Sequence, residues 1–599
     1  MNKRLKRTIS AVLASAVMLT AMTGTQVIAS ADSTSVTATV TAEKTYKIIS
    51  KNVTTYLHTY NDKSKTKLYF MNGVTDVPYI EVSDMVSFLN GYLPSNGKPG
   101  YELKIKKDGD KVTLVRENNY SLEIDCENDT FFYWDYDGFF SAKSKTLIDF
   151  VMPTWDENSM MLKTDKATER YGNPVLLDAA YYGIDFVHKG SRYYIPLQTF
   201  SDMFLTPLGI ASALYNGHSL IYYNSDIGGR LTDPEGKYTK LGQIYYGKDG
   251  KYATGKVSQE LAVFSASEFC FAMDNLYGLK EKHHIDSFTD LVLQKESGFN
   301  LLNTNSKKID RELYSIVNDV LDDVHSSFDV SSYSSGVSYA DTLKKKYGHG
   351  YSVQNYIDNS HKLLDKRAEY YPNGVPAYEE IGDTAYITFD AFSLDIIAIG
   401  TLDFDDPSTI YGPITAMAYA LQKINRENSP IKNVVLDLSC NGGGTVDTAV
   451  VVISAFLGKS PISIENAKTG ALVTNYYKAD TNFDGIYNSD DTLAGKGLNL
   501  YCLTSGTSFS CGNLVPCIFK EDPNVAIIGQ KSGGGACAIT HMSTATGSVL
   551  TLSSNLRLSY TKNGSFYDVD QGAEPDYAIS KLEHFYDREW LTNYVDSLA

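Results

Sequence analysis

Beyond residue 380 two hydrophobic patterns alternate along the chain. Residues 384–392, 433–438, 498–503 and 525–529 are apolar runs of strand length. Between them Ile414, Met417, Ala418, Leu421 and Ile424 recur at three- and four-residue steps, and 446–457 reads as a second helix. Strand and helix in turn predict an α/β core. Upstream, Ile309, Leu313, Ile316, Val317, Val320, Leu321 and Val324 mark one apolar helix face that ends immediately before His325. The helical pattern begins at about Gln259. Before it lies a tyrosine-rich stretch with an internal echo. Val77-Pro78-Tyr79-Ile80-Glu81-Val82-Ser83-Asp84-Met85-Val86 aligns with Ile195-Pro196-Leu197-Gln198-Thr199-Phe200-Ser201-Asp202-Met203-Phe204, with Pro and Ser-Asp-Met at the same offsets. Each copy predicts a strand end running into a short helix capped by Ser or Asp, and strand-like residues follow at 111–116 and 219–223.

The first residues set the address. Lys3, Arg4, Lys6 and Arg7 precede an apolar run at 9–22, and Ala29-Ser30-Ala31 offers small residues for cleavage before Asp32. That order predicts a secretory signal peptide over 1–31, its apolar run too short to span a bilayer comfortably. No cysteine near the cleavage site invites lipid attachment. The expected protein is secreted or on the cell-envelope exterior, without stable membrane insertion. Pattern shifts then divide the chain into an α+β accessory module at 32–235, a helical lead-in carrying His325 at 236–375, and the α/β core at 376–599. The echoed unit resembles the copper amine oxidase N-terminal-like modules of exported bacterial proteins, though no His or Met cluster accompanies it to hold copper.

Composition narrows the partners. A formal charge of −17, with no basic cluster outside the first residues, argues against nucleic acid. Seven cysteines in 599 residues are too few for a disulfide framework, and their odd number leaves at least one unpaired within the chain. The excess is in tyrosine, 44 against 25 Phe and 3 Trp, and exposed tyrosines would suit glycan or peptide.

Four blocks carry candidate chemistry. Asp437-Leu438-Ser439-Cys440-Asn441-Gly442-Gly443-Gly444 follows a strand and precedes a helix, so its N–H groups face a ligand as an oxyanion hole, a phosphate cradle or a tight turn. It lacks the Lys-Ser/Thr ending of a nucleotide loop. Thr504-Ser505-Gly506-Thr507-Ser508-Phe509-Ser510-Cys511 follows the next strand, where a serine sits either as nucleophile at a helix N-terminus or as a hydroxyl cap. The third block is Lys531-Ser532-Gly533-Gly534-Gly535, and the last runs from Tyr567 through Gly572-Ala573-Glu574-Pro575-Asp576.

In this order and spacing the blocks resemble the tail-specific (C-terminal processing) serine peptidases and the related tricorn core, over about residues 260–590. The resemblance implies a crotonase-like (ClpP/crotonase-type) peptidase core, a Ser510 nucleophile, and an oxyanion hole from the N–H groups of Gly443 and Cys511. Many family members carry a lysine base at the position of Gly535, and here Lys531 lies four residues early. The tricorn-like branch uses Ser-His-Glu, with its histidine at the end of an upstream helix, where this chain has His325. That branch's acid falls on Val569, flanked by Asp568 and Asp570. Asp570 is taken as the third member, with Asp568 and Glu574 in reserve and Lys531 as the alternative base. No PDZ module is obvious between His325 and Asp383. Cys511 reads as a small packing residue. The expected activity is hydrolysis of protein or peptide substrates. The rivals are a non-catalytic peptide binder on the same fold and a cell-wall- or glycan-binding protein, which leaves cell-wall association as an option.

One motif stands apart. Asp480-Thr481-Asn482-Phe483-Asp484-Gly485-Ile486-Tyr487-Asn488-Ser489-Asp490-Asp491 sets oxygen-bearing side chains at loop positions 1, 3, 5, 9 and 12, with Gly at 6. It resembles an EF-hand loop with a dockerin-like Asp at position 12. The expectation is a structural Ca²⁺ held by Asp480, Asn482, Asp484, the Ile486 carbonyl, Asn488 and Asp491, in an insertion at 480–491. No cofactor is expected for catalysis.

Overall fold

The structure is a computed structural model describing residues 46–599, apart from 58–62, 93–101, 117–119, most of 141–160, 210–211, 224–229 and 396–399. The expected signal peptide at 1–31 lies outside the described residues.

Six strands build the sheet on which the four blocks sit, in the order Tyr378–Ile381, Thr384–Thr388, Asn433–Asp437, Asn499–Thr504, Val525–Gly529 and Tyr577–Ala578. The first pair is antiparallel and the rest are parallel. Register aligns Thr388 with Asp437, Asp437 with Leu503, and Thr504 with Gly529. The ends of the central parallel strands therefore emerge together, and that is the edge where open α/β sheets build their sites. Side chains alternate between two cores, as a strand's two-residue period requires. Ala385, Ile387, Val434 and Leu436 pack toward the helices Pro413–Ile424, Val446–Leu457 and Cys511–Phe519. Tyr386, Val435 and Tyr501 face Leu363 and the C-terminal Phe585, Tyr586 and Leu591. The predicted strands and helices of this region match the observed ones to within a few residues at their ends.

A second sheet, antiparallel throughout, runs Ser327–Val330, Val549–Ser559, Ser460–Asn466, Leu472–Ala479 and Leu162–Arg170, with Cys537–Ser543 paired to Val549–Ser559. Its last strand comes from the N-terminal region. One apolar cluster also joins Val53 and Leu68 of that region to Phe269, Leu313 and Leu552. The two echoed segments lie side by side, Ile80 opposite Ile195, each strand leading into its helix. Many of the tyrosines go into cores. Tyr133, Tyr223, Tyr245, Tyr246, Tyr277, Tyr386, Tyr477 and Tyr586 are all fully buried. Several find carbonyl acceptors there, such as Tyr246 Oη donating to Ser331 O at 2.9 Å.

The helix leading to His325 ends sooner than its apolar stripe. Ser306–Ser315 is α-helical, Ile316–Leu321 widens into π turns, and Asp322 turns left-handed at φ 41°, leaving Val324 beyond the helix. The cause is a second task for Asp322. Its carboxylate accepts the N–H groups of Ser352 and Val353 and caps the Tyr351–Tyr370 helix. Gly350, just before that helix, leaves no room for a side chain, since a Cβ would stand 2.1 Å from Asn318 O. The crossing of these two helices fixes where the chain carrying His325 departs.

A buried acid pair joins the N-terminal region to the Gln259–Leu276 helix. Asp202 and Glu268 are 0% and 1% exposed; Gln198 donates to one and Thr199 to the other. Among the described residues Asp202 Oδ2 and Glu268 Oε1 have no donor. Burial pushes the Glu268 carboxyl up to about 8, and burial plus the Glu268 charge raises Asp202 well above the usual range. The folded chain holds a proton that the unfolded chain releases. Its stabilisation is complete below about pH 4.5 and is lost as pH climbs through about 8. Glu268→Gln should flatten that loss: the Tm difference between variant and wild type shifts in the variant's favour from pH 5 to pH 8. A difference constant across this range in thermal melts would contradict the shared proton.

Candidate active site

The site grows from a dense set of bonds between two strand ends. Asp437, 2% exposed, pairs with Arg588 at 2.8 Å and accepts both the Ser439 N–H and hydroxyl. That fixes the course of the chain through Leu438 and Ser439. The hydroxyl-rich block after the neighbouring strand then attaches to it. Ser505 and Thr507 donate to Ser439 O, Ser508 to Leu438 O at 2.7 Å, and the Phe509 N–H to Asn441 O at 3.0 Å. Asn441 in turn donates its side-chain amide to Phe389 O at 2.9 Å. These hydroxyls are fastenings, which is the cap-like alternative realised at every position but one.

The exception is Ser510. It stands at φ 55°, ψ −123° immediately before the Cys511–Phe519 helix, a conformation costly for a non-glycine residue and held by its surroundings. Its N–H donates to Gly534 O at 2.9 Å. Its hydroxyl makes no hydrogen bond among the described residues, and the residue is partly exposed. Gly443 lies against it, and a Cβ there would come within 2.6 Å of Ser510 Cβ. The Cys511 N–H opens the helix, where amides have no partner within the helix and favour negative charge. The Gly443 N–H is engaged, donating to Asn441 Oδ1 at 2.9 Å. Cys511 is buried, its thiol donates to Gly444 O at 3.3 Å, and burial pushes it up to about 12, which fits packing and not nucleophilicity. Among the described residues the core cysteines Cys440, Cys502, Cys511, Cys517 and Cys537 form no disulfide.

The third and fourth blocks close the other side. Ser532 Oγ donates to Asn513 Oδ1 at 2.6 Å and accepts the Ala573 N–H at 2.7 Å, while Asn513 donates to Val569 O. Gly534 and Gly572 touch backbone across this seam, a Cβ on either meeting a carbonyl oxygen at 2.3 and 2.2 Å. Asp570, almost fully buried, accepts the N–H groups of Gly535 and Ala536 on Oδ1 and the Lys282 ammonium on Oδ2. Burial raises its pKa, but Lys282 and the two amides outweigh it and leave the carboxyl below its usual value. Asp568 pairs with Arg557 at 2.8 Å, and Lys531 reaches outward to exposed Glu574 at 2.7 Å. Gly535, where many relatives carry a lysine, has φ 90° and faces the Phe509 ring at 2.6 Å from its would-be Cβ.

His325 reaches the same place from above. Asp323 accepts the His325 N–H at 3.1 Å and the hydroxyls of Ser326 and Ser553, which holds the turn. The imidazole packs on Phe509 at 4.6 Å between centroids, and Tyr356 packs on that ring at 5.6 Å. Among the described residues the imidazole makes no hydrogen bond to Ser510 or to Asp570. Burial lowers its pKa below the usual imidazole value, against the opposing pull of Asp323 and then Asp570. His283 feels the same two carboxylates and is likewise lowered by burial. Lys282, His283, Phe509 and Tyr356 were not singled out in the sequence. Only the position of Phe509, one residue before Ser510, could have signalled its part.

The sequence model of Peptidase family S41 matches residues 383–579. Among solved structures, the photosystem II D1 C-terminal processing protease is similar at 16% identity and TM-score 0.25, over 34% of this chain and 46% of its own. A lipoprotein from Streptococcus agalactiae is similar at 19% identity and TM-score 0.26, over 42% and 93%. Mature CPAF complexed with lactacystin is similar at 13% and 0.24, over 37% and 53%. The chain thus spans about half the length of the D1 processing protease. No curated protein matches by sequence. Residues 383–579, less than half of the chain, are thus similar to the family S41 peptidase domain.

The Gly535 contact can be tested directly. Gly535→Ala should cost about 2 kcal/mol in denaturant unfolding, from the left-handed φ and the Phe509 clash together. Unchanged stability would show that the ring does not occupy that space.

Proposed function

We propose, on the premise of a family S41 domain, that the chain is an exported serine endopeptidase with Ser510 as nucleophile and His325 as general base. The observation that carries the reading is the Ser510 hydroxyl, without a partner among the described residues on a left-handed residue at a helix start, with the His325 ring packed on the adjacent Phe509 at 4.6 Å. His325 takes the hydroxyl proton as Ser510 Oγ attacks the peptide carbonyl, then returns it to the leaving amine. The Cys511 N–H receives the developing oxyanion, and Gly443 adds a second donor once Asn441 Oδ1 releases its amide. Asp570 supports the imidazolium electrostatically, with Lys282 holding its other oxygen. Lys531, paired with Glu574 at an exposed position, is a poor base. Export rests on the basic, apolar and small-residue order of 1–31. Among the described residues no helix is long and apolar enough to cross a membrane.

A second reading, a peptide binder without turnover, draws on the occupied Gly443 amide and the missing His325–Ser510 hydrogen bond. A fluorophosphonate probe separates the two. Labelling should vanish in Ser510→Ala, fall by about 100-fold or more in His325→Ala, and persist in Lys531→Ala. Its rate should reach half-maximum below pH 6.5, because the lowered imidazole stays neutral into mild acid. No labelling of the folded wild type supports the binder, and loss in Lys531→Ala with retention in His325→Ala transfers the base role.

A further inference from the structure

The loop between the Leu472–Ala479 and Asn499–Thr504 strands takes no part in the serine site, and we propose that it binds one Ca²⁺ through Asp480, Asn482, Asp484, the Ile486 carbonyl, Asn488 and Asp491. The spacing is that of a loop able to wrap a hard cation, and Gly485, at position 6, donates its N–H to Asp480 Oδ2 at 2.8 Å. The independent observation is the other oxygen of that carboxylate. Asp480 is 4% exposed, and its Oδ1 has no hydrogen-bond donor among the described residues. Burying a carboxylate oxygen without a partner is expensive, and a protein normally meets that cost with a donor or an ion.

The surroundings sharpen the need. Asp480 lies buried close to the like charges of Asp491 and Asp484. Among the described residues no lysine or arginine forms an ion pair with any of the three. Asp491, also 4% exposed, is already oriented by the N–H groups of Thr481 at 2.8 Å and Asn488 at 2.9 Å. Asp484 is exposed and turned to the Ile486 N–H at 2.7 Å. No three acidic, imidazole or thiol side chains among the described residues already gather as a metal cluster. Binding therefore draws Asp484 inward and completes the shell with amide and main-chain oxygens. An Asp at position 12 reaches less far than the Glu of tight EF-hand sites, so the expected affinity is in the weak range, Kd about 10⁻⁵ to 10⁻³ M.

The loop is also a strap. The Asp480 N–H donates to Met161 O at 2.8 Å. Thr492 and Leu493 both donate to Ala455 O near the end of the Val446–Leu457 helix. A cation here stiffens the join between the antiparallel sheet and the serine-bearing strand, and its readout is stability and binding rather than turnover. Chelator-treated full-length protein titrated calorimetrically with CaCl₂ should take up one equivalent, with Tm rising as Ca²⁺ is added. Asp484→Ala, at an exposed position, should weaken binding at least about 10-fold with the fold intact, and Asp480→Asn should do the same. Ser510→Ala should bind Ca²⁺ as the wild type does, so failure of the peptidase reading leaves this result unaffected. No binding heat at about 10 mM Ca²⁺, or wild-type affinity in both loop variants, overturns the proposal.

Discussion

The fastening of two neighbouring strand ends governs this molecule. Arg588 neutralises Asp437 inside the protein at 2.8 Å, and Asp437 then fixes Ser439 through two hydrogen bonds. Onto the carbonyls of Leu438 and Ser439 the next strand's exit is tied by Ser505, Thr507 and Ser508. With its approach so constrained, the chain turns into the Cys511–Phe519 helix only by placing Ser510 at positive φ. The strain is borne by the bonds around it, and among the described residues the hydroxyl has no partner. A buried ion pair is weak evidence for stability by itself, because desolvation offsets attraction. Here its consequence is positional: removing Arg588 would leave Asp437 charged and buried beneath the whole arrangement.

The histidine side is built with less redundancy. His325 follows a helix that widens into π turns and stops where Asp322 caps a crossing helix. Asp323 holds the turn, and ring packing on Phe509 sets the imidazole's distance from the serine. Phe509 thus links the two halves. It precedes Ser510, fills the space over Gly535 where a lysine base would project, and carries His325 on its face. On the proposed reading a small closure is left to substrate binding, since catalytic hydrogen bonds are commonly loose before substrate arrives.

Much of this was legible in the residues. Apolar runs at 433–438 and 525–529 and the stripe at 446–457 found their elements because packing on both faces of a sheet leaves a strong period. The order of the four blocks pointed to Ser510, and the parallel register explains why blocks remote in sequence meet. Other features left no local trace. The end of the helix before His325 depends on Asp322 capping residues some thirty positions later. Lys282 meets Asp570 across 288 positions, so no spacing rule could pair them. The tyrosine excess had no reading in the sequence; many of the rings serve as core residues, some of whose hydroxyls reach main-chain oxygens, a choice set by tertiary packing.

The central claim is that Ser510 and His325 form one reactive unit. A crystal structure of the protein after covalent phosphonylation tests it most directly. The account predicts the adduct on Ser510 Oγ, the Cys511 N–H on a phosphonyl oxygen, and a His325 ring nitrogen within about 3 Å of the adduct's oxygens. An adduct on another residue, or His325 remaining out of reach while Lys531 or His283 approaches, would contradict it.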